Sequence, residues 1–355
     1  MRLRSVFALA AAFVVCVVTT PLAAAQDLLI PMDDQQENHL KAYGAVYAAL
    51  QDGRTVDWLL NHRGGAFLAE ASDAVRQELQ VRGVTFTPVS AGRASKIIAE
   101  VEADGSNKSV VPLEKAPEIA VYAPDGAVPW DDAVRLALEY AEVPHDVIYD
   151  EEVLNGDLAS YDWLHLHHED FTGQFGKFIR YRNEPWYIQK QKRAEAAAET
   201  FGFRKVSDLK LAVAQRLKQY VSQGGFLFSM CSGTETFDIA LAAHQTDVVP
   251  KAYDGDPVDP NALQQLDFDN TLAFRDFTPN LNAREYSHSN IDVGPPPSEM
   301  RDPSLDYFTL FEFSAKWDPV PTMLTQNHVA TVKGFVGQTT AYSEDMLKED
   351  VVVLA

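Results

Sequence analysis

Cysteine is almost missing from this 355-residue chain, which holds two, Cys16 and Cys231. Cys16 lies in an N-terminal apolar stretch, so loss of that stretch leaves Cys231 alone and excludes an internal disulfide. Basic residues are also scarce, 30 Lys and Arg against 51 Asp and Glu, for a formal net charge of -21. A surface so acidic repels phosphate backbones and anionic lipid, which sets nucleic acid and acidic membranes aside as partners. The acids are spread along the chain and hydrophobic residues make up 46% of it, so a disordered acidic tail is not implied. Such a surface also suits high salt, and a halophilic source is expected from it. Past residue 25 no apolar run is long enough to span a bilayer, and no repeat of fixed period is present.

The first 25 residues have the form of an export signal. Arg2 and Arg4 supply the charged start, residues 6–18 the apolar stretch, and Ala23, Ala24 and Ala25 a small-residue cleavage site before Gln26. Cys16 lacks the small residues that precede a lipid-modified cysteine. The expectation is an exported protein, periplasmic or extracellular, with no membrane span once the signal is removed. Its remaining length can bury a large core.

From residue 28 strand-like and helix-like segments alternate. LLIPM reads as a strand, and residues 36–50 as a helix with Leu40, Tyr43, Val46, Tyr47 and Leu50 at spacings of three and four. VDWLL is a second strand ending at the turn NHRGG, followed by a helix over 71–81 and the strand VTFTPV. Residues 104–115 read as a linker, which bounds an N-terminal α/β unit at 26–110. A second unit, 117–355, opens with the strand EIAVYAP and a helix over 131–141. The strands HDVIYD and YDWLHLHH follow, then a polar insertion over 171–205 with a charged helix at 189–200. Ser207 is expected to cap the next helix, which has Leu209, Val213, Leu217, Tyr220 and Val221 on one face. YFTLFEF, PTMLTQN and VVVLA are further strand candidates. Alternation of this kind points to a parallel sheet covered on both faces, with ligands gathered at the carboxyl ends of its strands.

The run GGFLFSMCSGTETFDIALAA carries the sharpest chemical signal. Residues 226–230 read as a short buried strand, and a helix is expected to begin near Thr234. Cys231 sits at the turn between them, with Ser229 and Gly233 two residues to either side. That is the spacing of a nucleophile elbow, whose tight strand-to-helix turn has no room for larger side chains. A thiol there would face solvent at the N-terminus of a helix. The competing reading is a buried, inert cysteine.

The order of elements from 117 to 243 resembles the class I glutamine amidotransferase-like superfamily, with its flavodoxin-like parallel sheet. MDDQQENHLKAYG, WLLNHRGG, YDWLHLHHEDFTGQFGKF, MCSGTETFDIALAA and EFSAKWDPVPTMLTQNH resemble more closely a family of exported bacterial proteins labelled asparagine synthetase B. Asparagine synthesis itself is not implied, because the chain has neither a cysteine next to Gln26 nor an SGGxDS-type loop for ATP. The resemblance implies that Cys231 attacks an amide or ester carbonyl, that the Ser232 amide receives the oxyanion, and that a histidine serves as base. No His-x-Glu pair follows Cys231. His288 is the first choice among the downstream histidines, ahead of His328 and His244. The second oxyanion donor would come from the loop after YDWLHLHH, where relatives carry glycines and this chain has His168, Glu169 and Asp170; these are expected to bind substrate. A trehalose-utilisation-like branch of the superfamily keeps the fold without the cysteine. There a glycine-histidine strand end follows the last helix, so a truncated C-terminus is expected here, where the chain stops at VVVLA.

In LHLHHED, His165 and His167 fall on one strand face, a spacing that lets both hold one divalent metal, with Glu169 or Asp170 adding an oxygen. A packed, hydrogen-bonded pair is the plainer reading. Arg63 in NHRGG could clamp an anion beside its two glycines. Asp254, Asp256 and Asp259 resemble the start of a calcium loop but lack its glycine and closing glutamate. Trp163 and Trp186 could stack on sugar, with core packing as the alternative. The leading expectation is thus a cysteine-dependent hydrolase or transferase acting on a small-molecule amide or ester. The alternatives are a non-catalytic carbohydrate- or metal-binding protein, and a metal-assisted hydrolase built on the histidine cluster.

Overall fold

Apolar residues run almost without a break through β1 (Asp27–Ile30), β2 (Val56–Leu60) and β3 (Ala66–Glu70), because the sheet they build is covered on both faces. The computed structural model describes residues 27–124, 126–127, 132–294, 307–311, 313–316, 328–333 and 341–354, so the segment expected to be an export signal lies outside the described residues. β1 to β3 join β4 (Thr87–Val89) and β5 (Ser109–Leu113) in the order β4-β1-β3-β2-β5, with every pairing antiparallel. α1 (His39–Gln51) and α2 (Asp73–Val81) bury Tyr47, Leu50, Val75 and Leu79 on one face, against Val56, Trp58 and Leu60. α3 (Ala91–Glu102) covers the other face with Ala94, Ile97 and Val101 against Leu59 and Leu68. The first four strands with α1 and α2 form a split β-α-β arrangement.

Three features of the first unit were not read from the sequence. The first sheet is antiparallel because NHRGG is a hairpin turn, with positive φ at Asn61, Arg63, Gly64 and Gly65, that folds AFLAE back onto VDWLL as β3. The supposed linker at 104–115 holds β5, which pairs with β2 from Ser109 to Leu113. An unforeseen helix, α3, follows Ser90, whose hydroxyl accepts from the Arg93 amide.

The second unit has the expected parallel sheet. β6 (Ile119–Tyr122), β7 (Asp146–Ile148), β8 (Trp163–Leu166) and β9 (Phe226–Ser229) lie in the order β7-β6-β8-β9, all parallel. α4 (Ala133–Ala141) lies on one face; α5 (Asp150–Asn155), α7 (Val206–Ser222) and α8 (Cys231–Ala242) bury Val153, Val213, Leu217 and Leu241 on the other. α6 (Pro185–Thr200) and the short α9 (Lys251–Asp254) add a smaller core around Tyr187 and Leu209. Ser207 does not cap α7, which starts one residue earlier at Val206 after Lys205.

α1 and α4 press the two sheets together into one core that includes Trp58, Ile119, Val121 and Leu138. They approach so closely that a Cβ on Gly44 would sit 1.8 Å from the Ala141 carbonyl oxygen. Arg82 donates to that same carbonyl at 2.9 Å, and Lys41 reaches Glu142 at 2.6 Å. Beyond α9 the chain is irregular, with a core of Phe274, Phe277 and Ile291 under α8. β10 (Tyr307–Thr309) and β11 (Thr331–Lys333) pair antiparallel. PTMLTQN lies outside the described residues, and residues 351–354 of VVVLA form no strand. Among the described residues no helix is long and apolar enough to cross a membrane.

Candidate functional site

β9 delivers the chain to Met230, and α8 begins at once with Cys231 rather than at Thr234. Among the described strands β9 is outermost in its sheet, and Phe228 is 39% exposed, so the expectation of a buried strand is corrected. Cys231 is exposed and holds φ at 51°, the left-handed region that a residue with a Cβ enters at a cost. The bend is pinned from β8. Met230 N–H donates to Leu166 O at 3.0 Å, Gly233 N–H to His167 O at 3.1 Å, and the Ser232 hydroxyl to His168 O at 3.1 Å. A Cβ at position 233 would meet His167 O at 2.4 Å, so glycine is required there by contact with the neighbouring strand's end. The Tyr342 hydroxyl donates to Cys231 O at 3.1 Å.

His288 is buried between two carboxylates. Its Nε2 lies 3.6 Å from Asp170 Oδ2 and its Nδ1 3.8 Å from Glu235 Oε1. Glu235 rides on α8, one turn beyond Cys231, and accepts from the Ser289 hydroxyl at 2.7 Å. Burial pushes its carboxyl above the ordinary range. Asp170 is buried too, yet the His288 charge and hydrogen bonds from Thr172 and the Gly176 amide outweigh burial and hold it well below that range. His328, the rival base, packs instead against Trp58, Tyr43 and Gly65 of the first unit. His244 lies just past the end of α8, its Nδ1 donating to Leu241 O at 3.2 Å and its Nε2 accepting from the Gln245 side-chain amide at 2.7 Å.

The strand alternation does place His165 and His167 on one face, their rings 6.2 Å apart. His165 is fully buried, with Nε2 2.9 Å from Asp132 Oδ2. Asp132 also caps α4 by accepting from Val134 and Arg135 amides. Burial opposes its ionisation, but His165 and these amides prevail and bring it down to about 2. His167 Nδ1 lies 3.9 Å from the same carboxylate and 3.0 Å from His168 Nδ1. Burial, then the neighbouring His168, lowers its basicity. His165 is thus hydrogen-bonded to the Asp132 carboxylate, while His167 lies beside it beyond hydrogen-bond distance, and among the described residues these groups do not converge as a set of three metal ligands.

The one such convergence of three among the described residues is Asp247, Asp254 and Asp256. The Lys205 ammonium fills it, 3.0 Å from Asp254, 2.8 Å from Asp256 and bonded to Asp247. Asp259 turns away to accept from the Asp247 amide at 2.9 Å. Arg63 is likewise committed, to Asp33 at 2.8 Å and Gln35 at 2.7 Å. Trp163 is core, and Trp186 is 47% exposed.

A cavity of about 670 Å³ opens at the carboxyl ends of β6, β7 and β8. The chain leaves β6 in one direction to β7 and the other way to β8, and such a reversal splays the loops apart to form a crevice. His167, His168, Glu169 and Asp170 line it; Cys231, Ser232, His288 and Arg63 do not. Its floor was not legible in the sequence. The buried Lys210 ammonium donates to Tyr122 and Tyr149 hydroxyls at 3.0 Å each and to Asp150 Oδ1 at 2.9 Å. Tyr122 donates to Asp150 as well, and Tyr149 donates to Glu169 Oε2 at 3.1 Å. Burial and these carboxylates raise both tyrosines well above their ordinary range, so both stay neutral donors. The available signal was a lysine beside Leu209 on the apolar face of α7 and an aspartate closing the strand HDVIYD. Comparison with family models, curated proteins and solved structures finds no match to this chain.

Proposed function

We propose that the chain is an exported, thiol-dependent acyl-transfer protein of the class I glutamine amidotransferase-like type, acting on a small-molecule amide or ester. The strained, exposed Cys231 at a strand-to-helix bend carries this reading, since backbone strain persists where surrounding structure enforces it and function uses it. The strand order of the second unit agrees with the first four strands of a flavodoxin-like sheet. The family link remains one of fold and sequence pattern.

In this scheme Cys231 Sγ bonds to the carbonyl carbon as the C=O π bond opens to an oxyanion. The Ser232 amide receives that oxygen. The amine or alcohol then departs with a proton, leaving a thioester that water or an acceptor amine resolves. His288 holds the exchangeable proton, with Asp170 and Glu235 flanking it and Glu235 carried on the Cys231 helix. His168, Glu169 and Asp170 form the facing substrate loop.

Native protein treated with iodoacetamide at neutral pH should be alkylated at Cys231 at least about tenfold faster than free cysteine. p-Nitrophenyl acetate should leave an acetyl group on Cys231, absent from Cys231→Ser. Alkylation that needs denaturant, or an adduct that forms equally on the serine variant, would overturn the proposal.

A further inference from the structure

We infer that the cavity between β6, β7 and β8, whose lining does not include Cys231 but shares Glu169 with the loop facing it, is a binding site for a neutral, polyhydroxylated ligand of the saccharide class. Its size is within the range of small-molecule sites, about 300–1,000 Å³. The floor is a built polar network rather than a chance hollow. Lys210, Tyr122, Asp150 and Glu169 are all buried, and each is oriented by hydrogen bonds to another member. Lys210 is further held 4.2 Å above the Tyr149 ring centroid.

The chemistry of the floor selects the ligand. On the floor the positive charge of Lys210 is already paired with Asp150, and Asp170 faces His288, while the rest of the lining carries both signs side by side, Glu151 and Glu152 with Lys190 and Arg193, so no net charge is selected. What the wall offers instead is an alternation of donors and acceptors. Asp150 lines the cavity, its Oδ1 engaged by Lys210 and Tyr122 and its Oδ2 buried without a hydrogen-bond partner. Hydroxyl groups both give and accept, which matches a wall carrying carboxylate, imidazole and ammonium side by side. At the rim Trp186 lines the same space with nearly half of its surface open. Phe178, Tyr181 and Tyr187 hold its ring at 5.6 to 6.0 Å between centroids. An exposed aromatic ring above a hydrogen-bonding floor serves the two sides of a sugar ring, its apolar C–H face and its hydroxyl edge.

The test is calorimetric titration of the full-length protein with glucose, galactose, maltose and cellobiose, with glutamine and inorganic phosphate as contrasting ligands. At least one saccharide should bind. Trp186→Ala and Glu169→Gln should each weaken it about tenfold, with circular dichroism and thermal unfolding like those of the wild type showing that both variants are folded. The proposal is overturned if none of the four sugars binds, if only glutamine or phosphate binds, or if sugar affinity survives Trp186→Ala. The readout is binding heat and does not depend on thiol chemistry, so this inference and the Cys231 proposal fail separately.

Discussion

Single atoms decide most of the chemistry here. Gly233 is the plainest case: the sequence pattern asks for a small residue two places after Cys231, and the structure supplies the reason in the His167 carbonyl. Gly233→Ala should cost about 1–3 kcal/mol in urea unfolding, because both colliding groups are backbone and neither can swing away. Asp132 gives a pH signature. Its folded value of about 2 lies below the unfolded one, so the stability it confers is complete above pH 4 and disappears as pH falls towards 2. Asp132→Asn should therefore be about 1–2 kcal/mol less stable than wild type at pH 7, and the gap should close in acid. The alternation that put His165 and His167 on one face was legible from the sequence. That a distant aspartate would claim both was not, since Asp132 comes from another strand's loop.

At the level of elements, close approach and charge pairing explain what periodicity could not. α1 shows an ordinary apolar stripe in sequence, yet its packing against α4 depends on the missing side chain of Gly44. Gly44→Ala should lower the unfolding midpoint by an amount equivalent to about 1–3 kcal/mol, as the helices are forced apart. The start of α7 is joined to the segment that runs from Asp247 through α9 to Asp256 by Lys205 among three aspartates. Lys205→Met should destabilise the protein at pH 7, and millimolar calcium should restore part of the loss, because the aspartate oxygens already converge as cation ligands. The same substitution without calcium should matter less at pH 4, where the carboxylates begin to take up protons. If calcium leaves the variant's melting temperature unchanged, the lysine is an ordinary ion pair rather than a cation in a ligand cage.

Across the whole molecule the last third of the chain returns to the first unit. Ala315 enters the core shared by both sheets, and His328 lies against Trp58 and Tyr43 while its carbonyl accepts from Asn61. Burial pushes His328 down to about 4. The unfolded chain therefore binds a proton that the folded one refuses between pH 6.5 and 4, so stability is full above 6.5 and declines through that window. His328→Phe should flatten the decline by about 2 kcal/mol, measured as urea midpoints at pH 7 and pH 4.5.

The division of labour follows from the range of the forces involved. Local pattern was enough to read the parallel second unit, the bend at Cys231 and the acidic character of the surface, since periodicity, turn chemistry and charge are properties of neighbouring residues. The same reading left the strand directions of the first sheet unread and hid β5, because strand pairing depends on where NHRGG sends the chain. It also could not assemble Lys210, Tyr122, Tyr149, Asp150 and Glu169, which come from separate strands and helices. Their hydrogen bonds exist only once the strand order has reversed at β6 and opened a crevice there, a decision taken by the packing of two sheets against α1 and α4.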